Sequence, residues 1–226
     1  MINARIETLI EARQQCRLCI NSHPGEIRNG SEFSFDPRVV SHWSQWLGDL
    51  RPKLMIVGQD FGNLDYFERF SGLDDPASTT NANLYRLLIE AGLHPTPPPM
   101  HDQTSGVFLT NSLLCFKTGK GMSDSVRTSW SRTCTQTHLL PLVNLLKPRV
   151  LVALGGPSWK SVRPLFGLKS SPETIMKAAG QHWSSSEIEI FAVVHCGGLG
   201  LRNRSWKFQV EDWQRIGKFL VSNPTG

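Results

Sequence analysis

Four short apolar runs punctuate the chain: KLMIVG at 53–58, VFLTNSLL at 107–114, RVLVALGG at 149–156 and IEIFAVVH at 188–195. Each is rich in Val, Ile, Leu or Phe and ends in turn or polar residues, the pattern of strands buried on both faces of a parallel sheet. Helical patterns surround and separate them. Ile6, Leu9, Ile10 and Arg13 fall at helical spacing within residues 2–15. NANLYRLLIEAG (81–92) reads as a helix with a glycine stop, and 123–146 as one that runs from a Ser123-Asp124 cap to LLPLVNLL. Pro157 suits the first turn of another. SWKFQVEDWQRIGKFLV (205–221) closes the series as an amphipathic helix. Trp43, Trp46 and Leu47 suggest a short helix after a polar loop at 21–37, and HPTPPPM (94–100) reads as a rigid surface connector. No internal repeat is present. The alternation predicts an α/β fold: a three-layer α/β/α domain over 1–226 with a central four-stranded parallel sheet, its site at the C-terminal strand ends.

Composition narrows the class. A chain of 226 residues, 39% hydrophobic with seven Trp and eleven Phe, has enough apolar surface for a real core. No stretch approaches the roughly 20 apolar residues of a membrane span. The opening MINARIETLIEARQQCR carries charge where a signal peptide would be apolar. The expectation is a cytoplasmic monomer with no membrane contact. A net charge of +5, from 24 Lys+Arg against 19 Asp+Glu, favours a polyanionic partner. Lys117, Lys120 and Arg127 cluster after the second apolar run, and Arg202, Arg204 and Lys207 after the fourth.

Four of the five cysteines form a pattern: Cys16 and Cys19 as C-x-x-C, Cys115 just past the second run, and Cys134. They read either as buried thiols acting as small hydrophobes or as ligands. A cytosolic setting disfavours disulfides. Four thiolates, two at short fixed spacing, suit tetrahedral zinc or an iron–sulfur cluster, and spacing does not separate the two. Such a site would staple the N-terminal segment to the loop after the second run and shape a basic surface there with Lys117 and Lys120. Cys196 stands apart, beside His195.

Three strand tips carry polar chemistry. In GQDFGN (58–63) a tight turn projects Asp60, either as a helix cap or as a carboxylate that positions water or faces a developing cation. Asn111 interrupts VFLTNSLL; a buried amide must be hydrogen-bonded or costs about 1–3 kcal/mol, and one edge of a pyrimidine would satisfy it. In HCGGLGLRNR (195–204), His195 sits at a tip and flexible glycines carry Leu199 outward beside Arg202 and Arg204. That arrangement fits an apolar wedge entering a base stack while arginines hold phosphates.

Taken together these residues resemble the uracil-DNA glycosylase superfamily across nearly the whole chain. The order Cys16, Cys19, Cys115, Cys134 is similar to its iron–sulfur, family 4-like branch, which implies a [4Fe–4S] cluster in place of zinc. GQDFG resembles the superfamily's GQDPY motif, which implies that Asp60 orients the attacking water. The iron–sulfur branch more often has GEAPG there, its carboxylate at the position of Gln59, and Phe61 replaces the usual proline. FLTNSLLC resembles Y-I-T-N-V-V-K-C, which places Asn111 on the residue that reads the uracil amide edge. HCGGLGLR resembles HPSPLS, which places His195 near uracil O2 and Leu199 on the wedge, with Cys196 and Gly197 replacing Pro and Ser. The resemblance implies a base-excision repair enzyme acting on DNA that contains uracil or a related deaminated base. Phe61, and after it Phe70, are the candidates for the aromatic face that stacks on the base.

Overall fold

A computed structural model describes residues 2–32, 49–62, 64–69, 75, 77–95, 105–119 and 126–222. In chain order its elements are α1 (Ile2–Gln15), α2 (Leu18–Ser22), β1 (Ile27–Arg28), β2 (Leu54–Gly58), α3 (Leu64–Arg69), α4 (Thr79–Glu90), β3 (Val107–Asn111), β4 (Phe116–Lys117), α5 (Thr128–Cys134), α6 (Leu140–Leu146), β5 (Val150–Leu154), α7 (Gly156–Leu165), α8 (Ile175–Ala178), β6 (His182–Ser185), β7 (Ile188–Val193), α9 (Gly198–Asn203) and α10 (Trp206–Ser222). A single turn of π-helix, Thr135–Leu139, joins α5 to α6.

All four apolar runs form strands, and these lie parallel in the order β3-β2-β5-β7. Their alternate side chains serve two cores. Leu54, Ile56, Val150, Val152, Phe191 and Val193 face α4 and α10, where Leu87, Trp213 and Ile216 are fully buried. Met55, Val57, Leu151 and Ala153 face the opposite way, against Ile6 and Ile10 of α1, Val143 of α6, and Trp159 and Val162 of α7. Helices therefore cover both faces, which is why every residue of β2 and β5 is buried. At about 1.5–3 kcal/mol for each large apolar side chain removed from water, these two layers are the main stabilising term.

The sheet has five strands where four were expected. β6, HWSS, adds antiparallel to β7 at the edge; its residues alternate between exposed and half-buried, so no apolar run announces it. A turn through Ser186, at φ 54°, joins the two. A separate two-stranded ribbon pairs β1 with β4, Ile27 opposite Lys117. The second apolar run leaves the sheet at Asn111, so 112–114 are not strand. HCGGLG is not a flexible loop, since it winds into α9 from Gly198. Helix α4 begins at Thr79, with Ser78 as a side-chain cap accepting from the Asn81 N–H, and α5 begins at Thr128. The expected Ser123-Asp124 cap, the helix at Trp43, Trp46 and Leu47, and the Pro-rich connector from 96 onward lie outside the described residues.

Among the described residues, no helix is long and apolar enough to cross a membrane.

A candidate active site at the strand ends and a cysteine cavity

The parallel order places β2 between β3, which follows it in the chain, and β5, which comes later. That reversal is where open α/β sheets bind ligands, beyond the carboxyl ends of the strands. Asp60 follows β2, Asn111 ends β3 and His195 follows β7, so the three sequence candidates share one edge of the sheet.

Gly58 pairs with Asn111 in register, and the Asn111 side-chain oxygen lies where a Cβ on Gly58 would be. Glycine is required here by close approach. Asn111 is buried, yet its amide makes no hydrogen bond among the described residues, and it is not sealed away from solvent. The two strand tips are stitched by the Gln59 carbonyl, which accepts from the Leu113 N–H at 2.9 Å and the Ser112 hydroxyl at 3.0 Å.

Both Asp60 carboxylate oxygens are engaged, and Oδ1, with one bond, keeps room for another donor. Its Oδ1 accepts the Gly62 N–H at 2.8 Å, and its Oδ2 accepts the Gln59 side-chain amide at 3.0 Å. Lys117 adds its ammonium 3.0 Å from the same Oδ2, with the two side chains 3% and 6% exposed. This corrects the sequence expectation for Lys117: it is not part of a basic surface but the buried counter-ion of Asp60. The sequence signal was a lysine directly after the buried run LLCF, which charge clustering alone misread. Phe61 is also buried, its ring 6.2 Å from that of Phe116. Phe70 and Lys120 lie outside the described residues.

His195 stands at the tip of β7 with solvent access to its ring. Its Nδ1 accepts the Gly197 N–H at 3.0 Å, so the neutral ring carries its hydrogen on Nε2 and presents a donor. The protein packed around it disfavours the imidazolium and lowers its pKa from the ordinary 6.5. The His195 carbonyl occupies the space a Cβ on Gly200 would need, which explains the third glycine of HCGGLG. Behind it, Cys196 is buried, its carbonyl accepts Asn83 of α4 at 2.9 Å, and burial pushes its thiol up to about 12. Cys196 thus anchors the tip and is a poor nucleophile.

Leu199, on α9, is 66% exposed. Arg202 beside it is exposed. Arg204 is not a free arm as expected: it forms two bonds to Asp212 of α10, at 2.6 and 2.7 Å, and lies over Phe208.

A cavity apart from the strand tips is lined by Cys16, Cys19, Cys115 and Cys134, together with Arg13 and His138. The first two cysteines flank the start of α2, Cys115 precedes β4, and Cys134 ends α5. All four thiols are free. Burial pushes Cys19 to about 11 and Cys134 to about 12 and also raises Cys115, with neighbouring thiols raising each further. Among the described residues, no three His, Cys, Asp or Glu side chains gather closely enough to hold one metal ion. The thiols instead line a shared space, and a four-thiolate donor set suits an iron–sulfur cluster and zinc alike.

A family model for the uracil DNA glycosylase superfamily matches residues 45–216. No match was found among curated proteins.

Proposed function

The chain belongs to the uracil DNA glycosylase superfamily, and from that premise we propose that it flips uracil or a related deaminated base out of DNA and hydrolyses its N-glycosidic bond. Membership supports glycosylase-type chemistry on DNA. The observation that carries the proposal is Asn111: a buried amide with no hydrogen-bond partner among the described residues, at the strand end next to the one that leads to Asp60. Such an amide can bond N3–H and O4 of uracil together, while the reversed pattern of cytosine would leave both groups unpaired.

The base departs as an anion while the sugar gains cationic character. The Nε2–H of His195 stabilises charge at uracil O2 that exists mainly in the transition state. Asp60, fixed by Gly62, Gln59 and Lys117, orients the water and faces the sugar. Leu199 fills the gap left by the flipped nucleotide, whose extrusion costs a few kcal/mol, and Arg202 holds a phosphate. Phe61 offers the nearest aromatic face. Cys16, Cys19, Cys115 and Cys134 hold a [4Fe–4S] cluster that serves as a staple between the N-terminal segment and the β3–β4 link.

A second reading is binding without cleavage. It is favoured by the Lys117 ammonium, which offsets the Asp60 charge at 3.0 Å. One experiment separates the two. Purified protein is incubated with a labelled single-uracil oligonucleotide and abasic sites are cut with alkali. A cut at uracil that falls by at least about 100-fold in Asp60→Asn and His195→Ala supports the glycosylase. Retained binding to the uracil strand with no abasic product selects the second reading. Cleavage unchanged in both variants overturns the assigned roles.

A further inference from the structure

Two buried polar atoms in the wall of the cysteine cavity lack a partner among the described residues. Arg13 is 2% exposed. Its Nη1 donates to Asn29 Oδ1 at 2.7 Å and its Nη2 to the Leu114 carbonyl, but its Nε has nothing to bond and no carboxylate pairs with it among the described residues. His138, 4% exposed in the π turn, leaves Nε2 equally unbonded. A buried cation without a counter-charge is expensive, and so is an unmade hydrogen bond. Here both costs fall on residues that line the same space as four thiols. An anionic group in that space would remove them together.

The geometry points to Arg13 and His138 as the groups that donate N–H bonds to the sulfurs of the cluster proposed above, with Arg13 also balancing its negative charge. This inference rests on the cluster reading of Cys16, Cys19, Cys115 and Cys134. A [4Fe–4S] core brings inorganic sulfides as acceptors beyond the four thiolates, so two extra donors have somewhere to go. A mononuclear zinc site offers only its ligand sulfurs. His138 sits one turn after Cys134, on the same helical face, and Arg13 closes α1 just ahead of Cys16. Donors to cluster sulfur and nearby positive charge raise the reduction potential by favouring the more negative, reduced state. Neither residue need touch DNA for this role.

The test uses the full chain, purified and reconstituted without oxygen. Iron and acid-labile sulfide are measured first, then the cluster's midpoint potential and its loss of iron to a chelator. His138→Leu strands no protein partner, because His138 makes no hydrogen bond among the described residues. It is expected to shift the potential to more negative values and to weaken iron retention by about 10-fold or more. His138→Gln, which keeps a donor, is expected to stay near the parent protein, and Arg13→Lys, which keeps charge but loses Nε–H, to fall between. A parent potential and iron retention in His138→Leu and Arg13→Lys overturn the inference while the cluster reading stands. A parent protein that takes up zinc or no iron overturns the cluster reading itself, and the inference with it.

Discussion

A lysine and an aspartate buried together must each lose their water, and their mutual attraction repays this only while both are present. The Asp60–Lys117 pair, 3% and 6% exposed, therefore makes Lys117→Met the informative substitution. Alone it leaves the Asp60 carboxylate buried without its cation and is expected to cost about 3–5 kcal/mol of stability. Adding Asp60→Asn to it is expected to recover much of that loss, because no charge then remains. Denaturant unfolding of the two single variants and the double variant checks the coupling, and additive losses would mean that the pair is not coupled. His195 offers a pH experiment. Its folded pKa lies below the ordinary 6.5, so as pH falls below 6.5 the unfolded chain takes up the proton first. This contribution to stability is present above 6.5 and lost below it. The neutral, Nε2–H form accordingly persists at and somewhat below pH 6.5, and the acid limb of kcat/KM that depends on His195 is expected below that pH. A rate profile of the parent against His195→Gln checks this. The placement of Asp60, Asn111 and His195 at one edge of the sheet was legible in the sequence because a polar residue closing an apolar run is conspicuous. Lys117 and Arg204 were misread because lysine and arginine are seldom buried, and their carboxylate partners lie on other elements that only folding brings near.

Elements follow the same division. The parallel strands were readable because burial on both faces demands unbroken apolar runs. β6 was not, because an edge strand with one wet face needs only HWSS and takes its register from the turn at Ser186. The glycines of HCGGLG suggested a loop, yet Gly200 is needed for its close approach to the His195 carbonyl and α9 forms around it. On this short helix Leu199 is 66% exposed, so packing does not explain it. Leu199→Ala is expected to leave folding stability within about 0.5 kcal/mol of the parent. If Leu199 wedges the base stack, the same change lowers cleavage of duplex substrate far more than of single strand, where no stack needs to be held open. Equal losses on the two substrates would remove the wedge from the mechanism.

At the scale of the molecule, the superfamily match spans 45–216, whereas Cys16, Cys19 and Arg13 precede it. The N-terminal segment joins the rest through Ile6, Ile10 and Ile27 in the core that also holds Val143, and after α1 through polar links of modest strength. Arg127 pairs with Glu26 at 2.7 Å on the surface, the Trp130 indole donates to His23 at 3.1 Å, and β1 supplies two residues to the ribbon with β4. An exposed ion pair such as the first adds about 1 kcal/mol or less. The four thiols are placed to tie down the stretch after α1, and the ribbon gives that tie a route to the candidate active site. β1 lies opposite Lys117, and Lys117 holds Asp60. Cys16→Ser with Cys19→Ser, or chelation of the proposed cluster, is therefore expected to loosen the stretch after α1, residues 16–32, while α1 stays packed through Ile6 and Ile10. Limited proteolysis would cut first within 16–32, far-UV circular dichroism would keep most of its amplitude, and cleavage of uracil-containing DNA would fall even though no substituted residue lies at the strand tips. Full activity in a chain whose N-terminal segment has become protease-sensitive would break this chain of contacts at Lys117 and leave the staple a purely local support.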